Sequence, residues 1–415
     1  MSKFSERVAT LSSEQRRLLE LQLRKKGFAA PSVAQTTTAS TVDNSSLAQP
    51  ATEVRDAVQS GIGSMHFSLF FFSDDGERTT EGKYELLLAS ARFADQHGFA
   101  AVWTPERHFQ DFGGLYPNPS VLSAALAVIT ERIQIRAGSI ALPLHHPLRV
   151  AEEWAVVDNL SNGRIGISLA SGWHASDFVL SPQAYHERKE VMFRDLEIIQ
   201  RLWAGEAITF PGVNETEVAV KVLPRPVQPH LPVWITSAGN PETWMRAGKI
   251  GANVLTGMQG ETFESLRKKV DLYRRSRAEN GHDAQAGQVT LMLHTFLGED
   301  NGAVKETVRP ALIEYMKVFL KQSENDARRN IERRVDSHTD EENEMRAAVA
   351  FEYYFKQNAL LGTVEKCATM IDNLIESGID EVACLIDFGL ETQVVLESLR
   401  YLNELKDLYS QRESG

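Results

Sequence analysis

The sequence predicts an α/β fold, a closed (β/α)8 TIM barrel with a long helical insertion between strands seven and eight. Three observations predict it. Eight apolar, β-rich runs follow one another between His66 and Phe388. Most are continuous rather than alternating in polarity, as strands buried on both faces should be. Amphipathic helical patterns lie between them, and alternating strands and helices of this number close most simply into a parallel barrel. A doubly wound open sheet is the other parallel architecture. It lacks support, because no Gly-x-Gly-x-x-Gly follows the first run.

In chain order, residues 1–28 form a basic segment with leucines recurring on one helical face. Residues 29–63 are rich in Ala, Thr, Ser and Gln, with almost no large apolar side chain. Such a stretch cannot bury enough surface to offset its chain entropy, so it reads as a flexible linker. The barrel domain is expected over residues 64–415. Its strands fall at His66–Phe72, Ala100–Thr104, Gln134–Leu142, Arg164–Ala170, Pro232–Ser237, Asn253–Gly257, Gln288–Leu297 and Glu381–Phe388. Tyr84–His97, Val191–Trp203 and Glu261–Glu279 carry helical periodicity. The connection Glu299–Gly378 is too long for one helix and holds two or three. Its apolar residues Leu312, Tyr315, Met316, Phe319 and Leu320, and then Phe351, Tyr354 and Phe355, recur at helical spacing and suit either a pair packed on the barrel exterior or a cap over its mouth or a dimer contact.

Composition narrows the function. The net charge is -12, which argues against nucleic acid and against an anionic membrane as the main partner. No apolar run reaches the length of a membrane span. The two cysteines, Cys367 and Cys384, neither staple a fold of this size nor match a zinc spacing, which suits a cytoplasmic protein.

In such a barrel the chemistry belongs to the loops after the strands, at one face. After strand two, Glu106, Arg107 and His108 stand side by side behind Pro105, which stiffens the exit. They read either as a catalytic cluster or as ordinary loop charges. Strand five ends in Thr236-Ser237-Ala238-Gly239, just before a helix that Asn240 would cap and Pro241 would open. Small residues ahead of a helix N-terminus admit a phosphate, and they also suit a plain turn. Ser171-Gly172 after strand four repeats the pattern, and Gly389 keeps the strand-eight loop open for the same role. Trp173 lies past a strand end, where an aromatic ring can cover a planar cofactor. His145-His146 reads as polar lining rather than as a metal site, so no metal is expected. Signatures of serine, cysteine and zinc hydrolases are missing.

From about Met65 to Leu408 the chain resembles the bacterial luciferase-like, flavin-dependent monooxygenases. The carriers are Trp103-Thr104-Pro105-Glu106-Arg107-His108-Phe109, Leu142-Pro143, His146-Pro147-Leu148-Arg149, Gly163-Arg164 and Ser171-Gly172-Trp173. Phe351-Glu352-Tyr353-Tyr354-Phe355, Leu361-Gly362-Thr363 and Cys384 to Gly389 resemble the subgroup found inside or beside nonribosomal peptide and polyketide assembly lines. The N-terminal segment resembles short helices that precede domains in those synthetases.

The resemblance implies reduced FMN as cofactor, with its phosphate at Ser171, Ser237, Ala238 and Gly239. Its ring would lie against Gly138-Ser139, where the family often has a non-proline cis peptide, with Glu106 and Thr256 lining it. Gly172, Trp173 and Thr236 complete the expected cofactor set. The implied reaction is O₂-dependent hydroxylation or Baeyer–Villiger oxidation of a small or carrier-protein-bound assembly intermediate. Arg107 would stabilise developing negative charge and His108 would move a proton. A separate flavin reductase, a homodimer and a synthetase contact through the N-terminal segment go with that reading. Two departures stand out. Luciferase has a histidine where this chain has Arg107, and gives the phosphate an arginine where this chain has Ser171. The rival readings are an F420-dependent oxidoreductase of the same fold and a non-catalytic flavin-binding or docking module.

Overall fold

The computed structural model describes residues 65–72, 82–110, 113–237, 239–329 and 340–410. The N-terminal segment and linker expected over residues 1–63 lie outside the described residues. All eight expected strands form: β1 (His66–Phe70), β2 (Ala101–Thr104), β3 (Gln134–Ala141), β4 (Ile165–Ala170), β7 (Val233–Thr236), β8 (Asn253–Gly257), β9 (Val289–Leu297) and β11 (Glu381–Leu385). They pair in parallel in the order β11-β1-β2-β3-β4-β7-β8-β9, and β9 pairs with β11 to close the barrel. The β1–β11 seam runs from His66 opposite Glu381 to Phe70 opposite Leu385.

Helices α1 (Glu85–Gln96), α2 (Pro119–Ile129), α3 (Pro147–Ser161), α4 (Arg188–Ala204), α5 (Pro241–Lys249), α6 (Phe263–Glu279) and α10 (Thr392–Ser410) form the outer layer. Their starts are written locally. Asn118 caps α2 and Asn240 caps α5, each followed by proline at the first helical position. Thr262 and Ser265 make a reciprocal capping box on α6. A short antiparallel hairpin, β5 (Ile208–Pro211) and β6 (Glu217–Val220), sits outside the barrel between β4 and β7. Sequence periodicity did not signal it, because only every second residue of β5 is even partly covered.

The long connection holds α7 (Asn301–Arg329), α8 (Asp340–Gln357) and α9 (Val364–Glu376). It also holds a three-residue strand, β10 (Leu360–Gly362), which adds to β9 alongside the barrel. Leu312, Tyr315, Met316, Phe351 and Tyr354 are all buried. Tyr315 and Tyr354 meet the ring of His294, near the carboxyl end of β9, at 4.6 and 5.4 Å between centroids. The insertion therefore reaches the barrel mouth.

The lower barrel is plugged by polar groups rather than by aliphatic layers. Arg136 Nη1 donates to both oxygens of Glu381 at 3.0 and 2.8 Å. Ser68 Oγ, Trp103 Nε1 and Gln288 Nε2 donate to the same carboxylate at 2.6, 3.2 and 2.9 Å. The Arg136 guanidinium lies over the adjoining rings of Trp103 and Trp234, at 4.9 and 4.4 Å from their centroids. A buried ion pair is tolerable only when its remaining donors and acceptors are met, and here they are.

Candidate active site

Glu106 follows Pro105 at the exit of β2. Its side chain is fully buried, and its oxygens are divided between two loops. Oε2 accepts from the backbone N–H of Ala141 at 2.8 Å. Oε1 takes the Nε2 atoms of His108 and His145 at 2.7 and 2.6 Å. Burial pushes this carboxyl's pKa up, but the two imidazoles, the charge on His145 and the Ala141 N–H outweigh it and hold the group at about 2. Burial lowers His145 in turn, while its bond to Glu106 and the charges of Glu106 and Glu153 leave it raised. His146 turns the other way. It caps α3 through Nδ1 and packs on Phe210. The ligand-type atoms of Glu106, His108 and His145 lie within 4.8 Å of one another. The sequence separated Glu106 from His145 by 39 positions, so nothing local announced the pairing.

Arg107 points elsewhere. Its guanidinium lies over the adjoining rings of Phe72 and Trp173, 4.5 and 4.6 Å from their centroids. The residue is buried, yet Trp173 is 47% exposed, so this aromatic corner borders solvent. Burial lowers the Arg107 pKa to about 10, opposed by the nearby Tyr315 and Asp177. Even so lowered, it stays cationic near neutral pH. Gly113 closes over its stem: a Cβ there would come within 2.7 Å of Arg107 Cγ. Asp177, which the sequence did not single out, stands in the field of His174, His108 and Arg107. Burial raises its pKa despite them. Its Oδ1 has no hydrogen-bond partner among the described residues.

Opposite this charged edge lies a floor of small residues. The Gly138–Ser139 peptide is cis. A Cβ on Gly138 would sit 2.7 Å from the Phe70 ring and 3.1 Å from Trp103, so only glycine fits. Ser139 Oγ and Ser168 Oγ both hydrogen bond with Thr236 Oγ1, at 2.5 and 2.6 Å. Thr256 Oγ1 donates to the carbonyl of Ser237 at 2.8 Å. β4 and β7 pair with Leu169 opposite Ile235, which brings Ser171-Gly172 level with Ser237 at adjacent strand ends. Gly172 and Gly239 both have positive φ, +87° and +103°. Ala238 lies outside the described residues.

All these groups occupy the carboxyl ends of the strands. A wall holds Glu106, Arg107 and Trp173. A hydroxyl-lined floor spans β3, β4, β7 and β8, and a glycine-bearing turn precedes the N-terminus of α5. Residues 65–381 match the luciferase-like monooxygenase family.

This chain belongs to that family. The oxygenase component of a flavin-dependent trigonelline monooxygenase from Acinetobacter baylyi is 25% identical over 366 residues, covering 84% of this chain and 96% of its own. Among solved structures, monooxygenase RslO1 from Streptomyces bottropensis superposes with a TM-score of 0.67 at 23% identity, covering 82% of this chain and 98% of that one. The oxygenating constituent of the Pseudomonas putida 3,6-diketocamphane monooxygenase, a type II Baeyer–Villiger enzyme solved with FMN, gives 0.65 at 16%, covering 84% and 99%. An F420-dependent secondary alcohol dehydrogenase gives 0.62 at 14%, covering 83% and 99%. These structural likenesses carry the fold. Family membership makes the chain an oxidoreductase, a monooxygenase. Among the described residues no helix is long and apolar enough to cross a membrane.

Proposed function

We propose that the chain is the oxygenase of a two-component monooxygenase that uses reduced FMN and O₂. The observation that supports it most is the floor. Ser139, Ser168 and Thr236 carry only short hydroxyl side chains, so the floor beside the Gly138–Ser139 peptide presents no bulky group to a flat ring, while the Cβ space of Gly138 itself is taken by Phe70 and Trp103. Ser139, Thr236 and Thr256 line the same face, with Glu106, Gly172 and Trp173 at its edge. Ser171, Ser237, Ala238 and Gly239 would hold the phosphate, with the α5 N-terminus behind them. Bound there, reduced flavin supplies the oxygen chemistry. The chain's own groups orient the substrate, exclude water and handle charge. Arg107 offers a fixed cation, and His108, on Glu106, can pass a proton to or from an oxygen in the mouth.

A separate flavin reductase fits the chain's likeness to an oxygenase component. The substrate class we infer is an intermediate of peptide or polyketide assembly, free or bound to a carrier protein, oxidised by hydroxylation or Baeyer–Villiger insertion. The N-terminal segment would provide any synthetase contact. A homodimer is favoured by the exposed apolar residues Val121 and Val128 of α2 and Val156 and Leu160 of α3, two helices that pack together. Cys367 and Cys384 are free and buried, which suits a cytoplasmic setting.

An F420-dependent reductase is the second reading, favoured by the likeness to the alcohol dehydrogenase. Anaerobic titration with reduced FMN and with reduced F420 separates the two. Tight binding of FMN supports our reading, and exclusive binding of F420 would replace it. Binding of FMN without product in any reductase-coupled assay of carrier-bound intermediates would favour a docking module.

A further inference from the structure

Ser171 stands where luciferase gives an arginine to the phosphate, so a dianion in the strand-four and strand-five turns needs another cation. One is present on a different element. Lys269 projects from α6, and its ammonium hydrogen bonds to Oε1 of Glu261. Both side chains are mostly buried, at 14% and 8% exposure. Glu261 is fixed in turn, because its Oε2 accepts from Ser265 Oγ at 2.6 Å and Ser265 belongs to the α6 capping box. The pair sits directly against Gly239: a Cβ there would come 2.7 Å from Glu261 Oε1 and 3.3 Å from Lys269 Nζ.

We propose that Lys269 is the cation that binds the cofactor phosphate, held beside the Gly239 turn by Glu261 until the dianion arrives. The proposal rests on the flavin reading given above. An ammonium is a compact point charge with three donors, so it can keep one bond to Glu261 and turn others to a phosphate oxygen. The Gly239 turn, at positive φ and without a side chain, has the Lys269 ammonium and Glu261 Oε1 directly against its backbone, with no atom of its own in between. Glu261 positions the lysine and also repels the dianion, so its charge works against affinity while its bond works for geometry.

The test is anaerobic titration of the full chain with dithionite-reduced FMN and, separately, reduced riboflavin, which lacks the phosphate. Wild type should bind FMN more tightly than riboflavin, with a preference that shrinks as salt is added. Lys269→Gln should weaken FMN binding by about 10- to 100-fold, the range of a hydrogen bond to a charged group, and leave riboflavin binding unchanged. Riboflavin thereby reports that the variant is folded. Lys269→Arg should recover part of the loss. A Glu261→Gln/Lys269→Gln double variant removes the carboxylate's repulsion as an explanation, and its FMN affinity should stay below wild type. Wild-type FMN affinity in Lys269→Gln or in the double variant would overturn the proposal. So would equal loss of FMN and riboflavin. If wild type binds neither flavin, it is the flavin reading itself that fails.

Discussion

The barrel holds two arginines, each lying over two adjoining aromatic rings, and they are not alike. Arg136, low in the barrel, lies over Trp103 and Trp234, and all three are buried. It is pinned to Glu381 by two hydrogen bonds from one nitrogen. Arg107, at the mouth, lies over Phe72 and the half-exposed Trp173. The charges that raise its pKa come from Tyr315 on the insertion and Asp177 after β4. The same side chain thus serves two purposes. Sealed and saturated, it completes a core. Placed at the mouth beside a half-exposed tryptophan, it is the cation we propose meets the reacting groups.

The largest expected effect breaks the sealed end. Glu381→Ala strands the Arg136 charge inside the barrel. It should cost about 3–5 kcal/mol, read as a lower denaturation midpoint with an unchanged slope. Loss of flavin binding should follow only as the chain unfolds. A nearly unchanged midpoint would mean that water reaches the lower barrel, and the contrast between the two ends would disappear.

Arg107→Ala should do the reverse. Stability should change little, and turnover should fall by about 10²–10³, the usual worth of one well-aimed charge donor. Arg107→Lys should restore part, since an ammonium cannot reproduce the planar guanidinium's contacts with the Phe72 and Trp173 rings. Wild-type product yield in the alanine variant would remove Arg107 from the site.

Two histidines, His294 buried and His145 half-buried, sharpen the contrast through pH. His294 is held down to about 3 by burial, and neither ring nitrogen has a hydrogen-bond partner among the described residues. Below its unfolded value of about 6.5, the unfolded chain takes up a proton that the folded chain refuses. Stability should therefore fall as pH drops from there toward 3. His294→Phe should flatten that slope. His145 is raised by Glu106, so its contribution is complete below about 6.5 and is lost as pH rises through its higher folded value. The gap between wild type and His145→Gln should narrow only on the alkaline side. Melting temperatures from pH 4 to 9 check both, and parallel curves would contradict the assignments.

Much of this was legible in the sequence. The eight strands, the capped entry to α5, and the grouping of the mouth residues on one face follow from local pattern. The cap of α2 and the inward-facing His294 of β9 were not read from it. What was not legible depends on partners far apart in the chain. Glu106 meets His145, Arg136 meets Glu381, and Lys269 meets Gly239 only when the barrel closes. The β5–β6 hairpin was missed for another reason: it is exposed, so its sequence carries little burial pattern.

The central claim is that the open end of the barrel, and not the sealed one, handles the cofactor. Glu106 tests it most directly. Glu106→Gln keeps the shape, but an amide cannot accept from Ala141 and both imidazoles at once, so a loss of about 1–3 kcal/mol is expected, less than at Glu381. Anaerobic titration of reduced FMN into wild type and Glu106→Gln, with melting followed on the same samples, is the measurement. The expected result is one flavin per wild-type chain and clearly weaker binding in Glu106→Gln at temperatures where that variant is still folded. No binding by wild type, or a loss in Glu106→Gln that appears only in step with unfolding, would contradict the claim.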